Sequence, residues 1–344
     1  MGDIIKLSSP ATTQENCESE KIAHYWEIPV LFEDGDLLAI EKPADLLAVQ
    51  NYSLVEAPNI QNLFNRDIER GAAWVKAREG LTCLNCVYPL DGDSSGILLF
   101  TKNKAAHDFM SNYLGSEIDF RTYHALVHGS PREKEFTVNA GLLPSVRYPG
   151  TFKVDVKRGK RSITRFKLLE SFNGYSYMEC HPITERFLQI RAHLHYIKCP
   201  AVCDSLYFGR PLFLSSLKKN YRQSKKHEEY PLMGRAALHC SRVEFPHPVT
   251  GETIVIESPL PKDFRVALKL LRQYGAKLWE PIPESSGSSA GRSGFGARRG
   301  FSKPGGKRFG MGGRSRRGPQ NGSQGRRRSP RSAGSRSRHF SSRD

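Results

Sequence analysis

Short apolar runs alternate with turn-forming polar residues along most of the chain. Val30–Phe32 and Leu37–Ile40 flank the acidic turn Glu33–Asp36, which predicts a β-hairpin that ends at Pro43. The same reading predicts strands over 97–100, 123–127, 163–169 and 175–181, a hairpin within 243–256, and helices over 59–79, 104–114 and 189–197. Strands and helices interleave at irregular spacing. This favours an α+β domain with a mixed, mainly antiparallel sheet over a regularly alternating barrel.

The composition of the sequence changes near both ends. Residues 1–27 are mostly polar and unpatterned, which predicts a flexible N-terminal arm. Residues 284–344 are rich in Gly, Ser and Arg and have almost no aliphatic side chains. Such a segment cannot bury enough apolar surface to offset the entropy of ordering, so it is predicted to be disordered. A single folded domain is expected over 28–283.

Charge is distributed as unevenly as hydrophobicity. The chain has 52 basic and 35 acidic residues, a net charge of +17. Residues 284–344 hold 14 Arg and two Lys against two acids, a net charge of +14, so residues 1–283 carry only +3. Arginine beside glycine and phenylalanine is typical of segments that bind RNA through phosphate charge and stacking; a merely solubilising or membrane-attracted run is the alternative. The RNA-contacting candidates in this tail are Arg298, Arg299, Arg308, Arg326, Arg327 and Arg328.

The cysteines indicate a reducing compartment. There are seven, an odd number, and no N-terminal signal segment is evident, so we expect a cytoplasmic protein. No run approaches the roughly 18 apolar residues of a membrane span. Cys83 and Cys86 together with Cys199 and Cys203 could hold zinc, but buried cysteine is also a common apolar filler, and we predict no metal.

One loop has the character of a catalytic turn. Asp91 lies in the turn-rich stretch 90–96, directly before the apolar strand 97–100. An acid held on a tight turn at the mouth of a sheet suits a nucleophile, because its backbone is fixed and its carboxylate faces a cleft. Taken alone, an Asp-Gly-Asp sequence is more often only a turn. The chain has no phosphate-binding loop and no zinc-protease helix motif, so other common chemistries lack support.

Five segments together resemble the RluA-type family of RNA pseudouridine synthases, in the family's order and over about residues 28–270. They are Pro29–Ala44, Leu90–Leu99, Arg121–Gly129, Arg186–Leu194 followed by Pro200–Gly209, and Leu238–His239 with Phe245–Glu252 and Pro259–Phe264.

The resemblance implies a single α+β catalytic domain with a long mixed sheet and a basic cleft. It also implies an isomerase that converts uridine to pseudouridine in rRNA or tRNA without cofactor or metal. Asp91 would be the nucleophile, attacking ribose C1′ or uracil C6. Tyr123 would stack on the base and is a candidate to take the C5 proton, and Arg191 would pair with Asp91 and keep it ionised. Arg186 and Gln189 are the expected RNA contacts in the domain, and a monomer is expected.

The chain departs from the family pattern at two positions. Pro89 stands where the family has an arginine that helps to displace the flipped base, and Leu188 replaces a usual histidine. The target uridine must leave the helix before its C1′ and C5 can be reached. Another residue, with Arg186 as a candidate, would have to do the work of the missing arginine. The alternative function is a catalytically inactive RNA-binding or ribosome-assembly protein on the same fold.

Overall fold

The computed structural model describes residues 3–9, 24–50, 57–222, 228–277 and 279. These residues form thirteen strands and six α-helices. The strands are β1 (Ile4–Ser8), β2 (Tyr25–Glu33), β3 (Leu37–Lys42), β4 (Asn85–Cys86), β5 (Ser95–Thr101), β6 (Arg121–His128), β7 (Glu135–Asn139), β8 (Leu142–Pro144), β9 (Phe152–Val154), β10 (Ile163–Phe172), β11 (Tyr175–Pro182), β12 (Leu238–Pro246) and β13 (Thr253–Glu257). The helices are α1 (Ile60–Glu69), α2 (Ala73–Lys76), α3 (Lys104–Gly115), α4 (Gln189–Tyr196), α5 (Leu214–Leu217) and α6 (Lys262–Tyr274), and a 3₁₀ turn covers Ser205–Tyr207.

Eleven of these strands form one sheet. Its order is β1-β2-β3-β5-β12-β6-β11-β10-β7, with β13 beside β12 and β4 beside β5, while β8 and β9 form a separate hairpin. The β5–β12 pairing is parallel and the other pairings are antiparallel. The predicted α+β class with a long mixed, mainly antiparallel sheet is therefore confirmed.

The predicted flexible arm is wrong for its first residues. Ile4–Ser8 forms the edge strand β1, which pairs antiparallel with β2 and buries Ile5 and Leu7 completely or nearly so. Two inward-facing residues make too short an alternation to stand out from the polar sequence around them. The strand is held because β2 itself begins at Tyr25, inside the predicted arm. Residues 10–23 lie outside the described residues.

The predicted helix over 59–79 is two helices. Asn59 begins α1 by accepting a hydrogen bond from the Asn62 amide at 2.9 Å. Gly71, with a φ of +60°, separates α1 from α2. A helix that was not predicted, α6, buries Phe264 and Leu271 at helical spacing. The other predicted strands and helices are present, with ends that differ by a few residues.

Every residue of β5 is buried, and the turn before it lies beside the centre of the sheet. Gly96 makes this possible. A Cβ atom there would lie 2.1 Å from the carbonyl oxygen of Cys240 on β12, and the φ of Gly96 is +115°. The parallel approach of β5 to β12 thus requires glycine, and it fixes where the turn carrying Asp91 leaves the sheet.

No helix among the described residues is long and apolar enough to cross a membrane. The predicted disorder of residues 284–344 concerns a segment outside the described residues and stays a prediction.

Candidate active site

The turn that carries Asp91 is held in place by its own backbone and by a buried lysine. The carbonyl oxygen of Asp91 accepts the amide of Ser94 at 3.0 Å, which closes the turn. The carbonyl of Gly92 accepts the amide of Asp45 at 3.0 Å and the ammonium of Lys42 at 3.2 Å. Lys42 is fully buried, and its desolvation lowers its pKa to about 7 although Asp91 opposes that shift. The sequence analysis gave Lys42 no role, yet it anchors the turn from the core side.

A single cleft brings Asp91 together with Tyr123. Its walls are the turn 89–94, the inner face of β6, and the segment 182–190 that leads into α4. The side chain of Asp91 is 14% exposed, so it opens to the cleft while most of it is desolvated. Two of the three residues predicted to carry the chemistry therefore line one depression in the surface.

The third, Arg191, lies behind the carboxylate and binds three acids. Its guanidinium makes a two-pronged contact with Asp204, at 2.8 Å through Nε and 2.6 Å through Nη2. Nη2 also lies 3.1 Å from Asp93, and Nη1 lies 3.8 Å from the Asp91 carboxylate. Asp204 is fully buried and also accepts the amides of the 3₁₀ turn that follows it. Arg191 is thus committed mainly to Asp204 and reaches Asp91 only as a more distant charge.

Burial and the nearby Arg191 act in opposite directions on the pKa of Asp91. Burial raises the pKa of Asp91 from 3.8 to about 6, against the lowering effect of Arg191, and the carboxylates of Asp204 and Glu185 raise it further. An amide hydrogen bond from Leu188, at the start of α4, favours the ionised form. Arg191 therefore limits the pKa shift without cancelling it. The carboxylate is ionised at neutral pH and becomes protonated a little below it.

Tyr123 keeps its proton in this environment. It is 5% exposed, and burial raises the pKa of its phenol well above the usual value, with Arg121 opposing that shift. The Arg121 guanidinium lies 6.0 Å from the centre of the Tyr123 ring and 4.5 Å from that of Tyr88. A protonated, apolar ring on the wall of the cleft is suited to stacking against a flat ligand.

The two residues predicted to contact RNA within the domain have different surroundings. Arg186 lines the cleft, and its Nη1 donates to the carbonyl of Glu185. Gln189 does not fit its predicted role, because it is 3% exposed and its amide is used internally. It donates to Ile163 at 2.9 Å and accepts from Thr184 at 2.8 Å. Gln189 joins α4 to β10 and is not free to bind RNA. The six arginines predicted in the tail lie outside the described residues.

Sequence reasoning missed a buried ion pair in the cleft wall. Arg121, 2% exposed, contacts Glu185, which lines the cleft. Within the described part of the chain, Nε and Nη1 of Arg121 and Nε of Arg186 are buried without a hydrogen-bond partner. Arg186 was a candidate RNA contact from its sequence, but the pairing of Arg121 with Glu185 was not predicted, since the two residues meet only when β6 and the segment before α4 pack together.

The cysteines predicted as an unlikely metal site lie in separate places. The thiol of Cys83 donates to the carbonyl of Lys102, and that of Cys86 to Tyr88. The thiol of Cys203 donates to Met233, while Cys199 is buried. The four thiols fit the role of apolar fillers, and those of Cys83, Cys86 and Cys203 also donate one weak hydrogen bond each.

Asp34, Asp36 and His247 are the one cluster of possible metal ligands found among the described residues. Nδ1 of His247 accepts the amides of Val249 and Thr250, at 3.2 and 3.1 Å, so its proton lies on Nε2, which donates to Asp34 at 3.0 Å. The nitrogen that faces the acids therefore has no free lone pair for a metal. The cluster ties the β2–β3 turn to the β12–β13 turn.

Comparisons with known proteins identify the family and the fold. A family model described as RNA pseudouridylate synthase matches residues 36–196. An uncharacterised RNA pseudouridine synthase of Bacillus subtilis, YhcT, is 32% identical over 76% of this chain and 77% of its own length. The ribosomal large subunit pseudouridine synthase D of Xanthomonas campestris is 30% identical over 81% of this chain and 80% of its own. The solved structure of human RNA pseudouridylate synthase domain containing 4 has the same fold, with a TM-score of 0.54 and 21% identity over 71% of this chain and 92% of its own.

Proposed function

This chain belongs to the RluA-type family of RNA pseudouridine synthases, so it is an isomerase that acts on RNA, and we propose that Asp91 is its nucleophile. The observation that carries the proposal is the cleft itself. It places a partly desolvated carboxylate, a protonated tyrosine ring and an arginine within one small region. A nucleophile, a flat stacking surface and a nearby positive charge are the groups that base isomerisation needs.

The reaction breaks one bond and forms another on the same nucleotide. The Asp91 carboxylate adds to ribose C1′ or to uracil C6, the bond between N1 and C1′ breaks, and the base turns so that C5 faces C1′. The new C5–C1′ bond forms, Asp91 leaves as a carboxylate, C5 gives its proton to that carboxylate or to water, and N1 takes a proton from water. No electrons enter or leave, so no redox cofactor is required. With a pKa of about 6, Asp91 is ionised at neutral pH and is basic enough to act as a nucleophile.

The neighbouring residues position these groups. Tyr123 stacks on the uracil ring, and Arg191 steadies the negative charge of Asp91 from 3.8 Å. Arg186, which lines the cleft, is proposed to take over part of the role that Pro89 cannot fill, because it brings to the cleft a positive charge that can contact a phosphate or a uracil oxygen of the flipped nucleotide.

Ribosomal RNA of the large subunit is the proposed substrate, because it is the one named in the description of the Xanthomonas relative. Residues 284–344 are proposed to add nonspecific RNA affinity through their net charge of +14. Their deletion should weaken RNA binding and flatten its salt dependence, and an unchanged slope would contradict that role. We further propose that the protein acts in the cytoplasm, since the six described cysteines are all free thiols, and that it acts as a monomer.

Mapping of pseudouridines in cellular RNA tests the nucleophile. RNA is compared from cells that contain the wild-type protein, Asp91→Asn, Asp93→Asn or no protein. Asp93 is the matched control, because it is two residues away and contacts the same Arg191 but is 45% exposed. We expect at least one pseudouridine, in large-subunit rRNA, that is present with the wild type and Asp93→Asn and absent from the other two samples.

Two other results have different meanings. A site that persists with Asp91→Asn but vanishes without the protein would show that another residue is the nucleophile. If no site in rRNA or tRNA depends on the protein while ribosome assembly does, the inactive RNA-binding function, which Pro89 favours, is the correct one.

A further inference from the structure

A second surface, behind the wall of the cleft, combines exposed aromatic rings with positive charge. It is a groove between the loop 145–151 that joins β8 to β9, the exposed side of α4, and the end of the 3₁₀ turn. Three rings line it: Tyr148 is 42% exposed, Tyr196 50% and Phe208 56%. Phe208 also has a φ of +63°, a strained conformation for a bulky residue. Exposed rings gathered in one groove mark a site of interaction, since scattered surface rings would not share a wall.

The charge around this groove differs from that of the rest of the domain. Residues 145–161 contain six Lys and Arg and a single Asp, a net charge of +5, whereas residues 1–283 together carry only +3. Arg147 and Lys153 on the hairpin and Lys198 after α4 are exposed and line the groove. The Arg147 guanidinium lies 5.4 Å from the centre of the Tyr148 ring. Rings that alternate with cations suit single-stranded nucleic acid, whose bases stack while its phosphates are neutralised.

Two buried side chains, Tyr207 and Arg191, lie between the groove and Asp91. Tyr207 lines the groove, and the Arg191 guanidinium lies 5.8 Å from the centre of its ring on the cleft side. The Tyr207 hydroxyl accepts the amide of Phe152 at 3.1 Å and donates to its carbonyl at 3.0 Å, which ties β9 to the wall. Leu188, at the start of α4, packs in the same small cluster. The groove and the cleft thus lie on the two sides of one wall, and the nucleotides that flank one placed at Asp91 can reach the groove by passing round that wall.

We propose that this groove binds the single-stranded nucleotides next to the target uridine. Their bases stack on Tyr148, Tyr196 and Phe208, and their phosphates contact Arg147 and Lys153. The inference rests on the proposed function, because it assumes that RNA enters the cleft at Asp91. It adds a substrate class to that function: the target uridine lies in a loop or single strand, and its neighbours are bound by stacking without a fixed sequence.

Ultraviolet crosslinking of the full-length protein to a short oligouridine tests the location. Uracil that stacks on an aromatic ring crosslinks to it, and mass spectrometry of the peptides identifies the site. We expect crosslinks in peptides that contain Tyr148, Tyr196 or Phe208, besides those in the basic tail. Crosslinks confined to residues 284–344 would overturn the proposal.

Binding of the same oligouridine, labelled with fluorescein, tests the energetics. Stacking contributes about 1–3 kcal/mol per base, so Tyr148→Leu, which removes one ring, should weaken binding roughly 5- to 150-fold, and to a similar extent at about 50 and 200 mM salt. Tyr230→Leu is the matched control, since Tyr230 is 82% exposed and lies outside the groove. A loss no greater than that of the control would overturn the stacking role.

A charge variant gives a second readout that does not depend on how the aromatic variant folds. Arg147→Gln with Lys153→Gln removes two exposed cations and should make the slope of log affinity against log salt shallower by about 1.4. Lys269→Gln, an exposed lysine on α6, should leave the slope unchanged. An equal slope in both variants contradicts the proposal.

These readouts separate the groove from the catalytic proposal, because binding and crosslinking need no chemistry. If pseudouridine formation depends on Asp91 but the groove variants bind RNA normally, the groove is wrong and the catalytic assignment stands. If crosslinks form in the groove but no pseudouridine depends on Asp91, the catalytic assignment is wrong.

Discussion

Replacing Asp91 with asparagine should remove activity and also stabilise the fold. Burial raises the pKa of Asp91 from 3.8 to about 6. A carboxyl with a higher pKa in the folded protein favours folding while it is protonated. That contribution is present below the unfolded pKa and is lost as the pH rises through about 6. Asparagine resembles the protonated carboxyl at every pH, so the variant keeps the stability that the wild type loses.

The size of the stability difference follows from the pKa shift of Asp91. A change of about 2.2 pKa units at about 1.4 kcal/mol per unit gives a variant that is about 3 kcal/mol more stable near pH 8. Near pH 5 the folded wild type is largely protonated, and the difference falls to about 1.6 kcal/mol. Urea denaturation of both proteins at the two pH values measures the free energy of unfolding directly.

Asp93→Asn is the control for a general effect of charge. Asp93 contacts Arg191 at 3.1 Å, but its side chain is 45% exposed, so its replacement should change stability by less than about 1 kcal/mol. If Asp91→Asn is no more stable than the wild type near pH 8, or if its extra stability is the same at both pH values, burial does not raise the pKa of Asp91 as proposed.

Three further outcomes follow from the same geometry. For the wild type, kcat/KM should fall about tenfold per pH unit below pH 6 as Asp91 becomes protonated, which release of tritium from uracil C5 would measure; a rate that stays flat down to pH 5 contradicts this. Asp204→Asn leaves Arg191 without its main buried partner and should cost about 3–5 kcal/mol in urea denaturation, so a loss under 1 kcal/mol would refute the role of that pair. Gly96→Ala places a Cβ 2.1 Å from a carbonyl oxygen of β12 and should cost more than about 4 kcal/mol, whereas Gly35→Ala, with no atom within 4 Å, should be nearly neutral; similar thermal midpoints for the two would contradict the close approach.

The local pattern of apolar and turn residues was enough to predict much of the fold. The β2–β3 hairpin, α3, the β10–β11 pair and the β12–β13 hairpin follow from apolar periods and turn residues that lie close together in sequence. The order of the strands could not be derived in the same way. The parallel contact of β5 with β12 joins residues about 140 positions apart, and its signal is a single glycine, Gly96.

The same limit applies to the candidate active site. Asp91, Tyr123 and Arg191 could be named because a family resemblance marks each of them in its own segment. The pKa of Asp91 could not, because it depends on burial and on Asp204 and Glu185, which only the folded chain brings near. Spacing did not indicate that Arg191 binds Asp204 more closely than Asp91, since both are acids within the reach of one guanidinium.

The change at Pro89 has consequences for the rest of the cleft. Proline brings neither charge nor a donor to the turn, and the neighbouring Tyr88 is buried with its hydroxyl bonded to the Ile97 carbonyl. Besides Arg191 behind the carboxylate, positive charge in the cleft therefore comes from the facing wall, where Arg186 lines the cleft and the buried Arg121 contacts Glu185. Charge on a wall cannot enter a base stack as a side chain on the turn could. We therefore expect this protein to depend on substrates whose target uridine is already unstacked, and such substrates have the single-stranded neighbours that the proposed aromatic groove would bind.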